Sequence, residues 1–210
     1  MKLWAALFAL LAAPAGAQGP IDTPGTVTHR PAGAHFPERI GEFQRQSVRQ
    51  YDPAGEDISA SYWLVRGDDR LLVTVYVYPS ERVRMPGSRE ARCRSEFDGV
   101  GAAVVQHNAT ARELAAAAAP AVEGVAPRLA HRSAYAMEAQ FDGRLQPVRS
   151  EAYLYCFVGG RWQVKYRATS TAGFDTSAEI ERLIRTGPWP GRAAPADPAE
   201  IAGIGTALPT

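Results

Sequence analysis

Residues 133–169 constrain the fold more than any other part of the chain. Three alternating runs are joined there by turns too short for anything but antiparallel pairing. Ser133 to Phe141 places Tyr135, Met137, Ala139 and Phe141 on one face, and Asp142-Gly143 supplies a two-residue hairpin turn. Val148 to Val158 returns apolar on both faces, with Ala152, Leu154 and Cys156 on one and Tyr153, Tyr155 and Phe157 on the other. A strand of that kind is normally central and covered twice. Gly159-Gly160 turns the chain again, and Arg161 to Thr169 alternates Trp162, Val164, Tyr166 and Ala168 with Gln163, Lys165, Arg167 and Thr169.

An earlier hairpin precedes this meander. Ile58 to Arg66 and Leu71 to Tyr78 flank Gly67-Asp68-Asp69; Leu71, Val73, Val75 and Val77 form one face of the return strand, and Thr74, Tyr76 and Tyr78 the other. Phe43 to Val48 is a candidate first strand. Between the two β regions, Phe97, Val100, Val104 and Val105 recur at helical spacing from Arg89 to about His107. Gly99 and Gly101 weaken that helix by about 1 kcal/mol each and suit a kink. Thr110-Ala111-Arg112-Glu113 reads as a capping box opening a second helical turn that Pro120 stops. Thr176-Ser177-Ala178-Glu179 caps a last helix with Ile180, Leu183 and Ile184 as its buried stripe and Gly187-Pro188 as its stop. The expected class is α+β: an antiparallel sheet of five to six strands with helices packed on its faces, in the order ββ(β)-α-βββ-α.

The N-terminus carries a secretory signature. Lys2 precedes an apolar run from Leu3 to Ala13, and Ala15-Gly16-Ala17 offers small residues for cleavage after Ala17. That run is too short to cross about 30 Å of hydrocarbon as a helix. The expected organisation is a signal peptide over 1–17, a flexible lead-in over 18–36, one domain over 37–190 and a Pro/Ala/Gly-rich tail over 191–210. The expected destination is the periplasm or the medium. Without Lys2, 22 basic residues face 22 acidic ones, so the chain lacks the basic stripe that nucleic acid demands. The expected partner is an envelope protein or a small ligand.

Cys93 and Cys156 are the only cysteines. In an oxidising compartment an even count favours a disulfide; the alternative is two unpaired thiols, one in a helix and one in a strand.

The element order, the hairpin around Gly67-Asp68-Asp69, the long crossover helix and the strand Trp162-Gln163-Val164-Lys165-Tyr166-Arg167-Ala168-Thr169 together resemble the PsbP/DcrB-like class of small exported α/β sandwiches, over about residues 37–190. The Lys-Tyr-Arg-Ala-Thr strand is also similar to one in uncharacterised exported bacterial proteins. The resemblance implies a non-enzymatic accessory or binding role in an envelope or lumenal compartment. It brings no catalytic motif, and fold alone does not fix function.

No residue pattern names a reaction. His29 and His35 fall in the lead-in, and His107 and His131 lack the spaced partners of a metal site. No cofactor is called for. A Cys93/His107 dyad would be about 21 Å apart along a straight helix. One oddity stands out: beyond the signal peptide the chain has 21 arginines and a single lysine, Lys165. Arg serves every other cationic position, so Lys165 suits a need for a compact ammonium. Lys165, Arg167 and Gln163, if they share a face with Tyr153 or Tyr155, would form a polar-aromatic wall for an anionic or sugar-like ligand. The expected role is therefore a non-catalytic binding or accessory protein. The alternative is an envelope hydrolase or isomerase with an unfamiliar site near Lys165 and His131.

Overall fold

The computed structural model describes residues 20–21, 24–115 and 117–192. The expected signal peptide, and the expected tail beyond Arg192, lie outside the described residues. The six long strands follow the alternation in the sequence: β5 (Phe43–Gln50), β6 (Ile58–Arg66), β7 (Asp69–Pro79), β9 (Ala130–Phe141), β10 (Arg144–Val158) and β11 (Trp162–Thr171). Shorter strands are β1 (Pro20–Ile21), β2 (Val27–His29), β3 (Ala34–Phe36), β4 (Arg39–Ile40) and β8 (Arg112–Glu113). The α-helices are α1 (Arg89–His107) and α2 (Ser177–Thr186). The main sheet runs β1-β5-β6-β7-β11-β10-β9-β8, with β4 added to β5, and its strands pair antiparallel throughout.

The α+β class and the helix-covered antiparallel sheet hold. The strand number and order differ: the sheet has nine strands among the described residues, not five to six. The surplus is β1, β4 and β8, two-residue pairings at the sheet edges with no alternation to read. Two other expectations are corrected. Residues 27–36, expected as flexible lead-in, form the β2–β3 hairpin, and His29, Ala34 and Phe36 are buried. Residues 110–113 do not open a helix. Thr110 Oγ accepts from Glu138 N–H at 2.9 Å, Asn108 Nδ2 donates to the Glu138 carbonyl at 2.7 Å, and Arg112 and Glu113 pair with Ala136 and Tyr135. Edge pairing with β9 there outweighs a local capping preference.

The two sheet faces differ in kind. One is the main core: Ala60, Tyr62, Val73, Val75, Val164 and Tyr166 lie under Ile180, Leu183 and Ile184 of α2, with the β2–β3 hairpin beside them. Trp189 closes this side, its ring centroid 5.0 Å from that of Tyr155 and its indole N–H donating to the Ile184 carbonyl at 2.6 Å. The other face is covered by α1, whose first turn is capped by Ser88 Oγ accepting from Ala91 N–H at 3.1 Å. α1 runs unbroken through Gly99 and Gly101. Its buried residues are Cys93 and Phe97 alone.

What holds α1 is covalent. Cys93 and Cys156 are bonded, with Cα atoms 5.8 Å apart, and join Phe97, Leu154 and Phe157 in a small apolar cluster. At the opposite end the sheet curls over this face. Trp63 on β6 stacks on Phe141 at the tip of β9 with ring centroids 5.3 Å apart, and Arg70 Nε lies 3.3 Å from Asp142 Oδ2. Those strands stand four places apart in the sheet, about 19 Å in a flat one.

The disulfide spans a sequence separation of 63 residues, worth about 4 kcal/mol in the chain-entropy account. The Cys93→Ser/Cys156→Ser double variant is expected to lose about that much stability in urea titration. An unchanged midpoint, or two titratable thiols in the denatured unreduced protein, would refute the bond's role.

Candidate ligand cavity beneath the crossover helix

Between the disulfide cluster and the Trp63–Phe141 cluster, α1 bridges a hollow in the curled sheet. It is a cavity of about 300 Å³. The floor comes from adjacent strands: Tyr76 on β7, Lys165 and Arg167 on β11, Ser150 and Ala152 on β10, and Tyr135 on β9. Register explains the grouping, since Lys165 stands opposite Tyr76 and Leu154, while Arg167 stands opposite Thr74 and Ala152. The roof is the C-terminal half of α1, through Val100, Ala103, Val104 and His107. Gly101 lets that roof come close: a Cβ there would sit 2.9 Å from the Tyr135 hydroxyl.

Lys165 is half-buried. Its ammonium lies 4.3 Å from the Tyr76 ring centroid and 5.6 Å from that of Tyr78, a cation–π arrangement that favours the charged form. It makes no ion pair with a carboxylate among the described residues, and neither does the exposed Arg167. Of the two acids whose charges act on Lys165, Glu96 accepts from the Tyr78 hydroxyl at 3.3 Å, and Asp57 acts through its charge without an ion pair. Burial is the largest influence on Lys165 and pushes its pKa down, the Arg167 charge adds to that, and Asp57 and Glu96 oppose it; the net is a pKa below the ordinary lysine value. Burial, reinforced by Glu96, pushes the Tyr78 phenol well above its usual range, so it remains a neutral donor.

The residues expected to form one wall divide between two faces. Lys165 and Arg167 line the cavity. Gln163 shares their face but is fully buried at the strand end: its Oε1 accepts from Phe157 N–H at 3.1 Å and its Nε2 donates to Ser80 Oγ at 3.1 Å. It thereby holds a β-bulge, where the β10–β11 register shifts between Tyr155 and Val158 and Phe157 takes a φ of 56°. Tyr153 and Tyr155 point to the opposite face. Tyr155 donates to the Pro120 carbonyl at 3.0 Å, and Tyr153 donates to Glu151. The sheet therefore separates both tyrosines from Lys165. His131 lies on the Lys165 face but two strands away, about 10 Å along the rung, with fully buried Leu154 between them and Phe97 packed on its ring. Lys165 and His131 do not form one site. Cys93, being bonded, cannot serve as a thiol beside His107.

A second charged cluster lies on the core side. Glu151 is buried and accepts from Arg132 at 2.7 Å, from Arg149 and from Tyr153. Burial acts to raise its carboxyl, but hydrogen bonds from Arg149 and Tyr153 and the charges of Arg132 and Arg149 outweigh it, leaving the pKa below the usual value. Its partners are internal, so the network is structural.

Sequence reasoning missed the role of Tyr76, Tyr135, Ser150 and the α1 flank. Its one usable signal was the aromatic second face of β7.

Two measurements check this geometry. Lys2 and Lys165 are the only lysines, so 13Cε-lysine labelling of a Lys2→Arg variant gives a single resonance. Its titration midpoint should fall below that of a free lysine side chain and rise in Arg167→Gln, because removing a neighbouring cation favours the ammonium; an unmoved midpoint contradicts the proximity. Gln163→Leu leaves the Phe157 N–H and the Ser80 hydroxyl unpaired and should cost about 2–3 kcal/mol in denaturant titration; a near-neutral change would contradict the bulge-holding role. No family model matches the chain, and no significantly similar curated protein or solved structure was found.

Proposed function

We propose that this is an exported, non-catalytic binding protein whose working site is the cavity beneath α1. The observation that carries the reading is convergence: two cations with no ion pair to a carboxylate among the described residues, Lys165 and Arg167, face a cavity that also holds an aromatic wall and hydroxyl groups. An unneutralised, half-buried ammonium has already met part of its desolvation cost, and an incoming anion recovers it. Export is supported by the signal-like residues 1–17 and by the buried Cys93–Cys156 bond. Among the described residues no helix is long and apolar enough to cross a membrane. The periplasm is the proposed compartment.

Binding is favoured over catalysis by how the polar groups are held. Among the described residues the hydroxyls of Ser150 and Tyr135 have no hydrogen bond to a histidine or carboxylate, the contact that activates a nucleophile. His107 at the rim hydrogen-bonds its Nδ1 to the Ala103 carbonyl, 2.7 Å away, within its own helix. Kinship with the PsbP/DcrB-like sandwiches is proposed on element order, which supports an accessory role.

The test is native mass spectrometry of the protein incubated with the small-molecule fraction of an envelope extract. A one-to-one non-covalent adduct, absent in Lys165→Met and released chemically unchanged, is expected. Turnover of the compound, an equal adduct in the variant, or no adduct with the intact protein would overturn the reading.

A further inference from the structure

We infer that the cavity takes a small organic carboxylate with a compact apolar body, its head at Lys165 and Arg167 and its body beneath α1. This deepens the binding-protein reading and rests on it.

The donor inventory selects the head group. β11 is paired on both sides along this stretch, with β7 and with β10, so its backbone N–H groups are committed to the sheet. α1 presents its flank to the cavity, not its first turn. Built sites for phosphate draw on backbone N–H groups from helix starts or glycine-rich turns, and this cavity has neither. What remains is side chains: Lys165 and Arg167, two residues apart on one strand face and so about 7 Å apart, with Ser150 and Tyr135 alongside. A two-oxygen carboxylate can be held by an ammonium and a guanidinium at that spacing. A phosphate's further oxygens would have only the Ser150 and Tyr135 hydroxyls to draw on, without the backbone N–H groups that complete built phosphate sites.

The body is selected by the other wall. Val100, Ala103, Val104 and Ala152 offer no hydrogen bond, so a hydroxylated body such as a sugar ring would lose its water contacts there without replacement. The volume, about 300 Å³, is at the lower limit for ligand pockets and suits a single ring or a short chain. The choice of lysine in an arginine-rich chain fits the same picture, since the gap against Tyr76 and Tyr78 receives a compact ammonium.

Calorimetry with benzoate, benzyl alcohol, acetate and inorganic phosphate at low salt tests this. Benzoate should bind at least tenfold more tightly than each of the other three. Lys165→Met should weaken benzoate at least tenfold, and Ala103→Phe, which fills the cavity from the helix side, should abolish its binding while leaving the melting temperature nearly unchanged. Phosphate or acetate matching benzoate in a Lys165-dependent manner would overturn the ligand class and leave the cavity as the binding site. Benzoate binding unaltered in both variants would overturn the cavity itself. No benzoate binding at millimolar concentration would also overturn the class, and the adduct experiment then decides separately whether the cavity binds anything.

Discussion

The Cys93–Cys156 bond decides how the helical layer sits, and the cavity follows from it. A 19-residue helix with two buried side chains removes too little apolar surface from water to fix its own position. Buried Leu154 and Phe157, with Phe97, make a close-packed pad around the bond, and Arg89 and Arg92 lie over the Phe157 ring at 5.7 and 5.4 Å. That pad holds the N-terminal half of α1 against the sheet. The C-terminal half has no such anchor and lands on the Trp63–Phe141 cluster only through Val104. Between two clusters separated along one helix, a curled sheet leaves a hollow. The cavity is therefore a product of under-packing between two fixed points, not of a loop folded back as a lid.

The bulge at the end of β10 works with the bond. Phe157 occupies a left-handed backbone conformation that a bulky residue adopts only when its surroundings impose it. Gln163 supplies that imposition by accepting the Phe157 N–H freed from the ladder. The shift lets Cys156 and Phe157 both serve the α1 side, where strict alternation would send them to opposite faces. Both lie in the disulfide cluster.

That departure from alternation explains what the sequence made legible. β6, α1 and α2 could be placed nearly to the residue because a period of two or of about 3.6 runs through them, and because Gly67 and Gly187 mark the ends of β6 and α2. The β2–β3 hairpin could not be placed, since His29, Ala34 and Phe36 make too short a pattern and their burial comes from distant core residues. The candidate site was half legible. Lys165 stood out by composition, and period two ties it to Arg167. Whether Tyr153 or Leu154 lies opposite Lys165 depends on a one-residue choice of register that no local pattern sets. The bond itself carried part of the answer: a helix tied to Cys156 must cover the face shared by Ala152 and Leu154, which turns Tyr153 and Tyr155 away from it.

The two faces of β10 and β11 treat charge in opposite ways, and the contrast bears on function. On the core side Glu151 is buried among Arg132, Arg149 and Tyr153, each donating to it; removing either charge would strand the other in an apolar setting. On the α1 side Lys165 is desolvated against rings with no ion pair among the described residues, and the acids Asp57 and Glu96 act on it only through space. A chain selected for stability alone has simple remedies at that position, either a carboxylate placed opposite or an apolar residue in its stead. An ammonium with no ion pair in a roofed hollow forgoes both. It costs stability, and the anion proposed for this cavity would return that cost, so the proposed affinity and the strain on Lys165 would be one property of the same side chain.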